Sequence, residues 1–490
     1  MSEGLWEGAA RVLRDNDLGG WTKPAPRLYP HQWSWDSAFH AIGLAHIDPG
    51  RALAELEHLF RAQWSDGRVP HIVFDPHVEG YWPGPELWAA SAVNPAAPKD
   101  LATSGLIQPP MHALAVWHIA RVAGLEVDAR VSPGPQRNAR AARDLGPADA
   151  PAGGQVPGLV NRPLETASRS HDLLRRIAAL YPKLVEWHRY LAEQRDPERS
   201  GLLTVYHPWE GTDNTPRWDA ALARVEIGEL PAYGRHDVAV VGADERPSKA
   251  EYDRYLWLVA LLRAAAYEDA AIAARHPFLI KDVQCSAIFA AASDALASIA
   301  ALLGAPEAER AEIANWSWRA SRAVQERWDD ERELVLDLDV RADRPVRVVT
   351  SAGLSALILP DLDTGLAELL CRRLFGEDFA GAPGLAHAVV LSTGARAPEF
   401  RPRQYWRGPA WPVINWLLWW GLRRRGLDED AARLRSANLA LLARPASHFA
   451  EYFEPYTAEA LGSPDQSWTA AVTLDWLASG ADPSLLPGHP

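Results

Sequence analysis

Apolar residues recur with a period of 3.6 over 50–64, 110–124, 171–195, 250–274, 281–303, 305–328, 408–424 and 428–443. That spacing gathers them on one face of a helix. Shorter stretches of the same kind lie at 4–15, 34–46, 350–375 and 467–478. Each such segment has an apolar stripe to bury and needs a partner to bury it against. Strand-like alternation is confined to Glu333 to Val340 followed by Val346 to Thr350, read as a small β-hairpin. About a dozen helices with no fixed repeat length, joined by long loops rich in Trp, Pro and Gly, fit a closed all-α toroid better than an open solenoid. A length of 490 residues would also allow two or three domains. The expectation is a single unit over 1–490, interrupted at 130–168 by a flexible insertion. That stretch is rich in Ala, Arg, Pro and Gly and nearly lacks aromatic and β-branched residues.

The apolar set is skewed, with twenty-two Trp against two Met and ten Phe. Many of the Trp sit beside Pro, Gly, Asp or His, which suits a wet aromatic cleft better than a dry core. A net charge of −13 argues against nucleic acid or an anionic membrane as partner. It leaves room for a small anionic ligand held by local Arg. Cys285 and Cys371 are too few and too far apart for a disulfide framework or a cysteine metal site. The first residues lack an apolar signal core, and no apolar run approaches the roughly 20 residues that span a bilayer. A cytoplasmic protein is expected; whether it forms a homo-oligomer is left open.

Residues 207–219, His-Pro-Trp-Glu-Gly-Thr-Asp-Asn-Thr-Pro-Arg-Trp-Asp, set Glu210, Asp213 and Asp219 beside two tryptophans. Pro208, Gly211 and Pro216 forbid a continuous helix there. A carboxylate on a stiff turn beside indole rings is partly desolvated, which raises its pKa towards that of a proton donor. Taken alone, the segment is equally a surface turn with three solvated acids. Four other constellations change that balance. Tyr29-Pro-His-Gln-Trp-Ser-Trp-Asp36 leads into a helix, where Asp36 either caps the first turn or presents its carboxylate beside Trp33 and Tyr29. Gly80-Tyr81-Trp-Pro-Gly-Pro and Ile107-Gln108-Pro-Pro are Pro-locked loops. Arg403-Gln-Tyr-Trp-Arg-Gly-Pro-Ala-Trp411-Pro packs aromatics, cations and an amide into one stretch, as the wall of a polar pocket would. Phe449-Ala-Glu451-Tyr-Phe-Glu454-Pro-Tyr456, then Glu459, supplies a second set of carboxylates far away in sequence.

Two carboxylates from distant, aromatic, proline-stiffened segments are what glycoside hydrolysis needs: one protonates the leaving oxygen while the other activates water or attacks the anomeric carbon. Metal chemistry is less well served. There is no His-x-x-x-His pair, the acids are too spread for an EF-hand, and Asp329-Asp-Glu-Arg-Glu333 reads as a solvated turn. Neither a Gly-rich phosphate loop nor Gly-x-Ser-x-Gly occurs.

Trp-Ser-Trp-Asp-Ser-Ala-Phe (33–39), Asp-Asn-Thr-Pro-Arg-Trp-Asp (213–219), Tyr-Trp-Arg-Gly-Pro-Ala-Trp (405–411) and Glu451-Tyr-Phe-Glu-Pro with the trailing Ser467-Trp-Thr together resemble glycoside hydrolase family 63. They run in the family's order and span nearly the whole chain. The resemblance implies an (α/α)6 barrel, an inverting mechanism and catalysis without a metal or cofactor. Family 37 trehalases share that architecture, but the run from Gln404 to Pro409 differs from their signature. The compact bacterial members of family 63 most like this chain cleave glucosylglycerate or mannosylglycerate. By motif, Asp213 would be the general acid and Glu451 the general base, with Glu459 as the rival base. Tyr29, Trp33, Asp36, Tyr81, Gln108, Trp406 and Trp411 would surround the sugar, and Arg246, Tyr252, Tyr405 and Gln466 would receive the glycerate. An inverting pair should stand about 6.5–9.5 Å apart to admit a water. Two alternatives stay open: an α-glucosidase for neutral oligosaccharides, and a non-catalytic sugar-binding protein. The 130–168 insertion departs from the family pattern.

Overall fold

The computed structural model describes residues 2–125 and 162–479. Five α-helices, Ser34–Ala45, His112–Val122, Val283–Leu302, Pro412–Arg424 and Ser467–Ser479, together with the 3-10 helix Ser351–Ile358, form an inner ring. Each packs on the next in that order, with Ser351–Ile358 between Val283–Leu302 and Pro412–Arg424, and the last returns to the first. Outside them lie Ser2–Asp15, Pro49–Phe60, Arg162–Gln194, Glu307–Gln325, Thr364–Leu374 and Asp428–Leu442, each packed on the inner ring. The result is an (α/α)6 barrel. The inner helices read as apolar nearly all round, as segments with neighbours on every side must. Every residue of Ser34–Ala45 and of Ser351–Ile358 is buried.

The expected helices appear near their expected bounds, with instructive exceptions. The 350–375 segment splits into Ser351–Ile358 and Thr364–Leu374 around Pro360, which cannot continue a helix. The 250–274 segment divides into Lys249–Ala264 and Asp269–Arg275 where Ala266 and Tyr267 take positive φ. In place of one hairpin, Trp328–Asp329 pairs with Leu334–Val335, and Leu338–Asp339 pairs with Arg344–Pro345. The expected insertion lies outside the described residues up to 161, and its last residues, from 162, are already helical. The Val283–Leu302 helix is, contrary to the sequence expectation, long and apolar enough to cross a bilayer, but it is an inner element of the ring with most of its surface buried.

The ring closes where the first inner helix meets the last. A Cβ built on Gly43 would stand 2.4 Å from Ala471 Cα and 2.7 Å from its carbonyl oxygen. Glycine here permits close backbone approach, not an unusual φ. Gly43→Ala should therefore lower stability by on the order of 2 kcal/mol, because backbone cannot move aside as a flexible side chain can. A thermal or urea unfolding curve beside wild type tests this, and an unchanged midpoint would show that the seam is slack.

Candidate active site

All six inner elements present their N-termini to one end of the barrel, and the connections leading into five of them, all but Ser351–Ile358, build a cleft there of about 930 Å³, open mouth included. Asp36, Gln108, Tyr405, Trp406, Glu451 and Gln466 all stand in the first turn of an inner helix or in the loop before one. Helix N-termini carry partial positive charge, which favours anions at this end.

The 207–219 segment is fixed from several sides. Glu210, fully buried, accepts two hydrogen bonds from Arg195 (2.7 and 2.9 Å), one from the Tyr206 amide (2.6 Å) and one from the Ile107 amide (3.1 Å). It is thereby spent on structure, tying this segment to the loop that carries Gln108. Arg217 donates to Asp337 (2.6 Å) and Thr212 (2.8 Å), Asp219 pairs with Arg407, and Asn214 Oδ1 accepts from the Trp406 amide (3.1 Å). Asp213 is what this frame presents to the cleft. Burial pushes its carboxyl up to about 7, nearby Glu451 adds to the rise, and Arg246 and a hydrogen bond from Tyr405 oppose it.

Glu451 arrives from the far side and is 1% exposed. Tyr29 donates to its Oε1 (2.8 Å), while Arg246 (3.0 Å) and the Ser463 amide (3.1 Å) donate to its Oε2. Three converging donors suit an acceptor-only carboxylate. Tyr29 also accepts from Arg246 (3.0 Å) and lies 3.2 Å from the Tyr405 hydroxyl. The Arg246 guanidinium sits 4.4 Å over the Tyr405 ring. Two phenols in series thus lie between Asp213 and Glu451, and Tyr405 itself adopts a strained φ of 38°. Asp36 is the third acid: burial first, then Glu451, pushes its carboxyl well above the ordinary range. It does not cap its helix; the helix start is instead served by Gln108 Oε1, which accepts from the Trp35 amide (3.2 Å).

Of the residues singled out from sequence, the cleft collects Tyr29, Trp33, Asp36, Tyr81, Gln108, Asp213, Arg246, Tyr252, Tyr405, Trp406, Glu451 and Gln466. Trp411 is not among them: it stacks flat behind Trp406 at 3.7 Å and 5°, supporting the wall without forming it. Glu459 lies outside, exposed and paired with Arg403 (2.6 Å). Sequence reasoning passed over Trp35, Trp209 and Trp468, each inside a motif already quoted, and Trp82, which follows Tyr81. It also missed His236 and Asp237, at the start of the short helix Asp237–Val240, in a stretch without any motif. Gln466 Oε1, Trp468 Nε1 and Trp82 Nε1 are buried without a protein partner, as groups awaiting ligand hydroxyls would be. Asp36, Asp213, Asp237 and Glu451 share the cleft with one guanidinium among its lining residues, and no set of three metal-type ligands among the described residues converges there.

A model of the mannosylglycerate hydrolase MGH1-like glycoside hydrolase domain matches residues 29–148 and 157–469. The glucosylglycerate hydrolase of Mycolicibacterium hassiacum is 42% identical over 476 residues, 96% of each chain. The mannosylglycerate hydrolase of Rubrobacter radiotolerans is 36% identical over 98% of each chain. The crystal structure of the GH63 mannosylglycerate hydrolase of Thermus thermophilus, in complex with Tris and D-glycerate, superposes with a TM-score of 0.80 at 35% identity, covering 96% of this chain and 99% of that one. A further structure of that enzyme holds glucose, with a TM-score of 0.78.

The raised carboxyl of Asp213 has a stability signature. The folded state holds a proton up to about pH 7 that the unfolded chain releases near pH 4, so stability is lost as pH rises between those values. Asp213→Asn should match wild type near pH 4 and exceed it at pH 8, by up to about 4 kcal/mol. Unfolding at the two pH values checks the sign; an equal difference at both would remove the raised pKa.

Proposed function

Because this chain belongs to the mannosylglycerate hydrolase MGH1-like glycoside hydrolases of family 63, we propose that it cleaves glucosylglycerate or mannosylglycerate by the inverting route, releasing sugar and glycerate. The observation that carries the site assignment is a pair of carboxyl groups in opposite environments. Asp213 is held protonated near neutrality by burial, while Glu451 faces it across the cleft with three donors on its oxygens. Such a split is how one site runs acid and base chemistry together.

In this reading Asp213 delivers its proton to the glycosidic oxygen as the bond to the anomeric carbon breaks. Glu451 takes a proton from a water that attacks the opposite face, so glycerate leaves as the alcohol and the sugar departs with inverted configuration. Asp36, Trp33, Tyr81, Gln108 and Trp406 are assigned to the sugar, and Trp411 backs Trp406. Arg246, Tyr252, Tyr405 and Gln466 are assigned to the glycerate, whose carboxylate suits a guanidinium. A small anionic glycoside accords with the otherwise acidic cleft, where Arg246 is the counter-charge. No nucleic acid, membrane or cofactor has a part in this scheme, and residues 1–490 act as one catalytic unit.

Proton NMR of the first product anomer settles the stereochemistry. An α-glycoside should yield the β-sugar first, and release should fall by at least about 10³ in Asp213→Asn and in Glu451→Gln. Retention of configuration, or binding without cleavage by wild type, would overturn the scheme. The pH profile of kcat/KM should fall about tenfold per unit above pH 7, as Asp213 loses its proton. Arg246→Ala should weaken kcat/KM for glycerate glycosides at least about tenfold more than for a neutral α-glucoside. Equal loss on both would favour a neutral substrate.

A further inference from the structure

At the far end of the inner ring from the cleft, three side chains from three different helices converge. His46 caps the C-terminus of Ser34–Ala45, His118 lies in His112–Val122 and Asp475 in Ser467–Ser479. His46 Nε2 is 2.7 Å and His118 Nε2 3.2 Å from Asp475 Oδ1, and the two nitrogens are 3.3 Å apart. The other carboxylate oxygen accepts from Trp416 Nε1 at 2.7 Å, which fixes the group with Oδ1 turned towards the imidazoles. The side chains are 2–4% exposed. The cluster stands about 15 Å from Asp36, ten residues along the same helix, and has no part in the chemistry above.

We propose that His46, His118 and Asp475 bind a divalent transition-metal ion, zinc by donor type, as a clamp across the seam of the barrel. Three observations support this. First, the two Nε2 atoms and Oδ1 form a near-equilateral set, each within reach of one point at the usual zinc distances of about 2.0–2.2 Å. Second, the Asp475 carboxylate is buried, and among the described residues its only ion-pair partners are these two histidines. A buried carboxylate needs a counter-charge, and a cation between the imidazoles supplies one. Third, Trp416 holds the non-ligating oxygen in the way that outer partners orient metal ligands.

Metal binding through Nε2 leaves the imidazole hydrogen on Nδ1. For His118 that hydrogen has no protein acceptor, so affinity should be about 10–100-fold weaker than for a site with a complete outer set. The ion would join the first and last inner helices to the second, and would act on stability.

The test uses the full chain without an affinity tag, stripped with a chelator and titrated with Zn²⁺ by calorimetry, with the unfolding midpoint read alongside. One saturable equivalent should bind, and the midpoint should rise by about 2 °C or more. Co²⁺ in place of Zn²⁺ should give the visible absorption of a low-coordinate nitrogen and oxygen site. His46→Gln and Asp475→Asn should abolish all three signals. Should Asp475→Asn not fold, His46→Gln, at the more open edge of the cluster, carries the test. The absence of a stoichiometric Zn²⁺ equivalent in wild type, or its persistence in His46→Gln, would overturn the proposal and leave a hydrogen-bonded His-Asp-His cluster.

Discussion

The contact on which the remaining geometry rests is the approach of the first inner helix to the last, made close by Gly43 against Ala471. An open stack of helix pairs would leave both ends apolar. Closing it buries Trp35, Phe39, Trp416 and Trp468 against one another and removes the ends altogether. Closure also fixes direction. Six inner elements run the same way, so their N-termini, with the unpaired amides that helix starts carry, point to one rim. Everything that the cleft does follows from which loops enter that rim.

The second constraint is electrostatic. Asp36, Asp213 and Glu451 share a low-dielectric space with Arg246 as the guanidinium among them. Like charges in such a space cannot all be ionised, so the environment must divide them. Arg246 contacts Glu451 and not Asp213, and the Tyr29 hydroxyl and the Ser463 amide reinforce that preference. Asp213, set on its rigid turn, and Asp36 are left with carboxyls raised above the ordinary range by burial. Burial above all raises the Asp213 carboxyl, while the guanidinium makes its contact with Glu451.

Much of this was legible in the sequence because it depends on local signals. Helix periodicity marks the helices of the ring, and Pro, Gly and Trp beside acids mark the loops that line the cleft. What failed has physical causes. Trp411 looks like Trp406 in sequence, but two stacked indoles cannot both face the cavity. Spacing alone does not separate Glu210 from Asp213; Arg195, which takes both oxygens of Glu210, leaves it the supporting part that the motif comparison implied. His46, His118 and Asp475 are separated by whole helices, so no spacing rule could join them. The tight seam had no signal beyond a glycine in a helix.

The proposed base and the proposed glycerate cation form one mechanical unit. Glu245 accepts from the Gly462 amide (2.7 Å) and Glu451 from the adjacent Ser463 amide (3.1 Å), so a single turn holds both Glu451 and the segment that carries Arg246. Arg246 in turn touches Glu451 directly, and Gln466, three residues beyond Ser463, belongs to the same wall. A carboxylate that draws on Arg246 must therefore alter the donors around Glu451. In the proposed reaction, binding energy from the glycerate would in this way be available where the water is activated, which is how a remote group raises turnover and not affinity alone. A neutral aglycone of the same size would leave the Arg246–Glu451 pair undisturbed. In the proposed scheme, discrimination between the two classes would arise at Glu451, through the guanidinium that it would share with the substrate.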